Sequence, residues 1–578
     1  MNQNPEPSVV NDAVHGQFLK RVWQMTAPYW RSEEKGKAWA LLIAVVVLSL
    51  FSVGISVWLN NWYRDFYNAL ENKDTAAFTR LILHFLVIAM VAIFGAVYRL
   101  YLTQMLTIRW RRWLTEQHFA RWLGHKNYYQ LETASYTDNP DQRISEDINS
   151  FTSDTLGLSL GLLRTVVSLV SFSIILWGVS GSLEVAGFSI PGYMFWAALV
   201  YAVVGSWLTH KIGRRLIPLA NQQQRYEADL RFSMIRVREN AESVALFDGE
   251  PNEHRRLSGR FGAVWHNYWN TMRVQKRLTF FTAGYGQAAV IFPFIVAAPR
   301  YFAGKIQLGE LMQINSAFGN VQENLSWFID SYASLATWRA TCDRLLSFHE
   351  DMAANEQRPQ AIEVSAQGEA LAVENLALTL GDGRALVEGA NLAVAPGERV
   401  MLLGRSGSGK STLLRAMGRL WPSGGGRILM PAERCLFLPQ KPYLPIGSLS
   451  EALSYPQAAS AYSAEQFAEV LEACRLGHLQ GRLDEANHWQ RVLSPGEQQR
   501  LAFARALLFK PQWLFMDEAT SAMDEEDEAN LYQMLIEKLP GLGVVSVGHR
   551  SSLKRFHPRR VRIDHGQLCP EPAGVLES

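Results

Sequence analysis

The sequence predicts a multidomain chain: an all-α polytopic membrane domain of six transmembrane helices, followed by an α/β domain of P-loop type. Three observations carry this. The chain has 578 residues, too many for one ordinary domain of about 100 to 200. Long runs without Asp, Glu, Lys or Arg recur through the first half. In the second half a short apolar strand enters a glycine-rich loop. The overall 48% hydrophobic content looks merely globular, because a polar half averages away an apolar one. The expected boundaries are an N-terminal segment at 1–35, the membrane domain at 36–349, a polar linker at 350–368 and the α/β domain at 369–578.

Residues 1–37 are polar and mixed in charge, with no short apolar core before a small-residue cleavage site, so the reading is that nothing is removed. The runs at 38–61, 81–97, 188–208 and 278–299 are free of charge and read as spans, since about 20 apolar residues cross a bilayer. Residues 156–179 hold Arg164, and residues 308–335 hold Glu310, Glu323 and Asp330. Buried non-membrane helices are the competing reading for these two. The connections at 99–143 and 211–277 are rich in Arg and Lys while 180–190 has neither, which places the long connections, both termini and the second half in the cytoplasm. Trp58, Trp62, Tyr63, Tyr98 and Tyr101 suit membrane interfaces, with ordinary packing as the alternative.

In the last span Gln313, Ser316, Asn320, Glu323, Trp327, Asp330 and Ser331 recur at helical spacing, opposite Leu311, Ile314, Phe318, Val321, Leu325, Phe328 and Tyr332. An ionised side chain avoids lipid, so the polar stripe is expected on a water-filled cavity that receives solute. An interfacial helix with a solvated face is the other reading. Asn139-Pro140 reads as a helix start, leading into residues 141–147, and residues 236–242 are the matching segment of the second connection. Both are candidates to meet the second half of the chain, or else solvated charged faces.

The α/β half carries the chemistry. Gly404, Arg405, Ser406, Gly407, Ser408, Gly409, Lys410, Ser411 and Thr412 form a phosphate loop: glycines let backbone N–H groups wrap phosphate, Lys410 reaches the terminal phosphates and Ser411 meets Mg2+. The apolar strand at 513–516 ends at Asp517, which is suited to contact Mg2+, and Glu518 beside it is suited to polarise the attacking water. The four cysteines, Cys342, Cys435, Cys474 and Cys569, show no ligand-like spacing and read as reduced thiols. A net charge of +2 gives no basic excess, so nucleic acid is set aside as a partner.

In order and spacing these motifs, with Leu493 to Arg500 between them, resemble the nucleotide-binding domain of an ABC transporter. The resemblance implies that Ser494, Gly496 and Glu497 belong to the signature that meets ATP, that Gln440 senses Mg2+, that Ser521 to Asp524 is an inter-subunit loop and that His549 contacts the terminal phosphate. Glu518 and His549 are thus the candidate catalytic pair, and Ser411, Gln440 and Asp517 the candidate metal set. Two departures stand out. Pro495 replaces the first signature glycine and has no N–H to donate, yet the ATPase is expected to survive. Leu380 stands where an aromatic ring often stacks on adenine, which predicts a weaker preference for ATP over GTP.

Residues 60–70, 236–242 and 304–312 are similar to the BacA/SbmA-related transporters with a fused ATPase and, more distantly, to the peroxisomal acyl-CoA half-transporters. This implies a homodimer in the bacterial inner (plasma) membrane that uses ATP and Mg2+ to take up a small hydrophilic molecule or peptide by alternating access. An acyl-CoA or lipid-like cargo, or an ATP-gated pore, are the alternatives; intact Glu518 and His549 favour an active transporter over a pore.

Overall fold

The computed structural model describes residues 13–134, 139–185, 188–358, 361–366 and 368–571. Asp330 has no described side chain, and residues 1–12 of the expected N-terminal segment lie outside the described residues. The chain divides into two compact units, Met1–Ala354 and Asn355–Ser578.

Among the described residues the first unit is helical apart from one hairpin, Ser182–Val185 with Phe188–Pro191. Four helical segments among the described residues are long and apolar enough to cross a membrane: Lys35–Glu71, Thr75–Thr133, Pro140–Ser180 and Glu250–Phe302. The expected span at 188–208 begins in the hairpin strand Phe188–Pro191 and becomes helical from Tyr193, in Tyr193–Gly213; that at 308–335 is also helical, in Leu308–Glu356. That last helix runs on into the stretch expected to be a polar linker. A further helix, Ala13–Arg31, occupies most of the polar N-terminal segment expected at 1–35. Its Phe18, Val22, Met25 and Tyr29 recur at steps of four and three, and they are buried against Leu106, Trp110, Phe151, Leu346 and Phe348.

The first two long helices form an antiparallel pair. Trp62 shows why interface and packing readings of an aromatic differ: it is buried, its Nε1 donates to the Leu81 carbonyl at 2.8 Å and its ring stacks on Phe66 at 4.7 Å. Trp58, Tyr98 and Tyr101 remain exposed.

The second unit is built on a six-stranded sheet with the order Gln567–Pro570, Arg559–Asp564, Arg399–Gly404, Gly543–Val547, Trp513–Asp517, Cys435–Leu438. All pairings are parallel except that of the Gln567–Pro570 edge. Buried parallel strands read as continuous apolar runs because both faces are covered. Here the side chains sort by period two. Trp513, Phe515, Val545, Val400 and Leu402 pack with helix Lys410–Met417 and a four-stranded sheet. Leu514, Met516, Val544, Met401 and Leu403 pack with helices Pro495–Phe509 and Glu525–Lys538. The central strands Arg399–Gly404 and Trp513–Asp517 end where the phosphate loop and the Asp517-Glu518 pair begin, which is where an open α/β sheet places its ligand.

Candidate active site

The loop between strand Arg399–Gly404 and helix Lys410–Met417 turns back on itself through three glycines, Gly404, Gly407 and Gly409, with φ of +144°, +79° and +99°. L-side chains rarely adopt these angles. A Cβ at Gly404 would also lie 2.7 Å from the Ile563 carbonyl and 2.8 Å from the Ser408 hydroxyl. Arg405, Ser406 and Gly407 form the exposed outer part, whereas Gly409 and Lys410 are buried. Thr412 follows half-buried in the first helical turn.

Lys410 Nζ donates to the carbonyls of Gly404 at 2.7 Å and Arg405 at 2.9 Å, which curls the side chain back across its own loop. Burial pushes its ammonium below the usual lysine range, while Glu518 and Asp517 pull it back. Ser411 Oγ donates to Asp517 Oδ1 at 2.8 Å. Burial pushes the Asp517 carboxyl up, against that hydrogen bond. The Ser408 hydroxyl is buried and has no hydrogen-bond partner among the described residues. A helix N-terminus, a buried ammonium and an orphaned hydroxyl on one loop fit a bound phosphate, and the adjoining Ser411 hydroxyl and Asp517 carboxylate are the hard oxygen donors that Mg2+ takes.

Glu518 joins the remaining residues. Gln440 Nε2 donates to its Oε2 at 3.2 Å, and His549 Nε2 lies 3.2 Å from its Oε1. Glu518 itself has φ of +49°, a left-handed conformation rare outside glycine, held by its N–H donating to the Val547 carbonyl at 3.1 Å. Strain of this kind collects where a side chain must be aimed rather than relaxed.

The Ser494 turn is separate, with no hydrogen bond to the phosphate loop among the described residues. Ser494 caps helix Pro495–Phe509: its hydroxyl accepts from the Glu497 N–H at 3.3 Å, its N–H donates to Glu497 Oε2 at 2.9 Å and its hydroxyl donates to the same oxygen at 2.7 Å. Burial works to raise the Glu497 carboxyl, but the Ser494 hydrogen bonds and His478 outweigh it and hold it low. Pro495 stands at the first helical position, where a missing N–H has no partner to lose and a fixed φ is already helical. A Cβ on Gly496 would approach the Ala522 carbonyl to 3.3 Å.

Two residues that the motifs do not flag hold these parts together. Gln499 is buried; it donates to the Gln440 carbonyl at 3.0 Å and the Ser521 hydroxyl at 3.2 Å, and accepts from the Ala522 N–H at 2.9 Å. Arg550, next to His549, donates to the carbonyls of Met523 at 2.6 Å and Ser521 at 3.1 Å. Gln499 lies inside the quoted signature run, but only the fold shows a second amide beside the Gln440 backbone.

In the membrane unit the polar stripe divides. Gln313 is buried: its Nε2 donates to Asn61 Oδ1 at 2.9 Å and its carbonyl accepts from Asn60 Nδ2 at 3.2 Å. It therefore ties two helices together, as buried amides do in membranes. Asn324 likewise donates to the Ser168 hydroxyl at 2.8 Å. Ser316, Asn320, Trp327 and Ser331 are half-buried, and Glu323 is exposed.

Two family models match the chain: an ABC transporter transmembrane region at residues 25–302 and an ABC transporter model at residues 387–521. An uncharacterized ABC transporter ATP-binding protein of Haemophilus influenzae is 37% identical over 95% of this chain and 93% of its own length. The inner membrane ABC transporter ATP-binding protein YddA of Escherichia coli is 36% identical over 90% and 93%. A solved bacterial Atm1-family ABC exporter with ATP bound superposes with a TM-score of 0.72 at 19% identity, covering 92% of this chain and 94% of that one, and so shares the fold. The chain belongs to the ABC transporters whose membrane domain is fused to the ATPase. It is a membrane-embedded ATPase that binds ATP and moves a substrate.

Proposed function

We propose that the chain works as a homodimer in the bacterial inner membrane, with the ATPase domain and both termini cytoplasmic, and takes up a hydrophilic solute or peptide by alternating access. The observation that carries the ATP-driven part is the contact set around Glu518, in which Gln440 and His549 hold both carboxylate oxygens. Glu518 polarises the attacking water and His549 steadies the terminal phosphate. Lys410 and the loop from Gly404 to Thr412 bind the phosphates, with Lys410 exchanging loop carbonyls for phosphate oxygens. Ser411, Asp517 and Gln440 would hold Mg2+, which supplies charge neutralisation to the phosphates.

Ser494 is exposed, with Gly496 and Glu497 half-buried behind it, and the turn is separate from the phosphate loop, which supports its use by a partner's nucleotide. A two-fold pair satisfies both sites at once. The exposed Glu323, with the half-buried Asn320 beside it on the stripe, supports a polar cargo. The inward direction rests on the BacA/SbmA resemblance.

Purified protein is expected to hydrolyse ATP despite Pro495, and Glu518→Gln to lower the rate by about a hundredfold or more while retaining bound ATP, in line with the loss of a principal transition-state group. Full turnover in the variant contradicts the assignment. Solute accumulation against its gradient in proteoliposomes separates a transporter from a gated pore.

A further inference from the structure

The first long connection of the membrane unit holds a buried ionic cluster that the nucleotide site does not use. The helical stretch that ends at Ser180 starts with one turn, Pro140–Gln142, and passes through a π-helical segment, Arg143–Asp147, before becoming α-helical at Ile148. A π-turn is rare and collects at functional positions, since it shifts the register of the side chains around it.

Asp147 closes this segment. Its side chain is 6% exposed, and its carboxylate is enclosed by two guanidinium groups. Arg143 Nη1, one turn earlier on the same helix, donates to Oδ2 at 2.7 Å. Arg344, on helix Leu308–Glu356, forms a fork: its Nε donates to Oδ2 at 2.9 Å and its Nη2 to Oδ1 at 2.6 Å. The buried Thr341 hydroxyl accepts from the same Nη2 at 3.1 Å and fixes the guanidinium plane. A two-point fork sets direction as well as distance, and a carboxylate shut away from water has no solvent to replace a lost partner. Segment 140–147 is therefore fastened to the helix that leads to residue 355, where the second compact unit begins.

Its contact with helix Thr75–Leu123 is of another kind. Phe151 packs edge-on against Trp110, with ring centroids 5.6 Å apart. Toward residue 140 that contact opens into a cleft of about 550 Å³, with Ile108, Phe119 and Trp122 on one wall and Asp141, Ile144 and Ser145 on the other. An exposed hydrogen bond crosses it, from Arg111 Nη2 to the Ser145 carbonyl at 3.2 Å. The Trp122 indole N–H is buried without a hydrogen-bond partner among the described residues. A donor left orphaned in one arrangement is satisfied by water or by a second arrangement, and Asp141 carries an acceptor across the cleft. A rigid fork to one helix and a cleft beside the other leave the segment able to travel with the first and pivot at Phe151.

We propose that Asp147 is a positioning residue for coupling: it joins segment 140–147 to helix Leu308–Glu356 as one moving body, which swings into the cleft beside helix Thr75–Leu123 when ATP acts. The proposal rests on the transporter reading above and adds which elements move together.

The test uses the full chain in nanodiscs, with Cys569, the exposed native thiol, replaced by serine and with Glu518→Gln to keep ATP uncleaved. One copy in each pair carries two spin labels, on Glu146→Cys with Ala340→Cys or on Glu146→Cys with Gln117→Cys, all at exposed positions. With ATP and Mg2+ the Glu146–Ala340 distance is expected to stay the same while the Glu146–Gln117 distance shortens by about 2 Å or more, the scale of helix shifts in switching proteins. Arg344→Gln should broaden the first distance and remove the ATP response of the second. Ser145→Trp, which fills the cleft and leaves the fork intact, should remove the response of the second alone. In parallel samples, labels on Glu465→Cys in both copies read whether the ATPase units respond to ATP, and they are expected to respond in the parent and in both variants, which separates lost coupling from a lost fold. A first distance that changes with ATP in the parent, a second that does not, a full response of the second in either variant, or loss of the Glu465 response in both variants overturns the proposal. Absence of the Glu465 response in the parent would instead sink the transporter reading.

Discussion

The family resemblance puts an aliphatic side chain, Leu380, where an aromatic ring often stacks on adenine. The turn is held by Leu380 N–H donating to the Arg384 carbonyl at 2.9 Å and Gly383 N–H to the Leu380 carbonyl at 2.9 Å, so an aromatic ring can be introduced without altering the backbone bonds. Stacking on a base is worth about 1 to 3 kcal/mol, so Leu380→Tyr is expected to lower the KM for ATP by roughly fivefold or more. Comparison of KM for ATP and GTP in both proteins checks this, and an unchanged ATP value counts against adenine at this turn. A second residue, His557, is used as a neutral group. Its Nδ1–H donates to the Leu553 carbonyl at 2.9 Å, and its Nε2 accepts from the Ser546 hydroxyl at 3.0 Å. Burial, with Arg399 and Arg560 adding repulsion, pushes its pKa from 6.5 down to about 4. Between those values the unfolded chain binds a proton that the native domain refuses, so stability is full above the upper value and is lost as pH falls toward the lower one. The loss is on the order of 3 kcal/mol, and His557→Gln should show a flatter fall in melting temperature between pH 7 and 5.

Among the elements, the end of helix Lys35–Glu71 clasps the start of helix Leu308–Glu356. Leu308 N–H donates to Glu71 Oε2 and Gly309 N–H to Asn68 Oδ1, both at 2.8 Å, which satisfies two orphan donors of the helix start. Tyr301 holds the other Glu71 oxygen at 3.2 Å. A Cβ at Gly309 would lie 1.9 Å from the Arg64 carbonyl, a backbone atom with no side-chain freedom to yield. Gly309→Ala is expected to cost about 1 to 3 kcal/mol by overpacking, seen as a lower melting temperature in detergent; an unchanged value would show that the helices separate freely. Sequence and fold part most plainly among the elements. The phosphate loop was legible because its chemistry lies in consecutive residues: glycines for the turn, then Lys410 and Ser411. Helix Ala13–Arg31 was not, because its buried stripe is spread among polar residues and finds its partners on Leu106 and Phe348, far along the chain. Gln313 read as a solute contact, yet its amide ties two helices; helical spacing gives a face but not what covers it.

For the whole molecule, sequence and relatives agree on an ATPase joined to a membrane domain, and the account adds that two copies close on ATP. The phosphate loop and the Ser494 turn lie on separate parts of one domain; their use as halves of one site across two chains rests on the family resemblance. Spin labels give the most direct test. Cys569 is the exposed native thiol and is replaced by serine, while Cys342 and Cys474 are buried. Glu465, exposed at the start of helix Ala464–Ala473, is replaced by cysteine and labelled in the full chain in nanodiscs. Pulsed dipolar measurement of the distance between the two copies is then made without nucleotide and with ATP and Mg2+, in the Glu518→Gln background. The account predicts a long or broad distance without ATP that collapses to one short, narrow distance when ATP is bound and uncleaved. No dipolar coupling at all, or one distance unchanged by ATP, would contradict it.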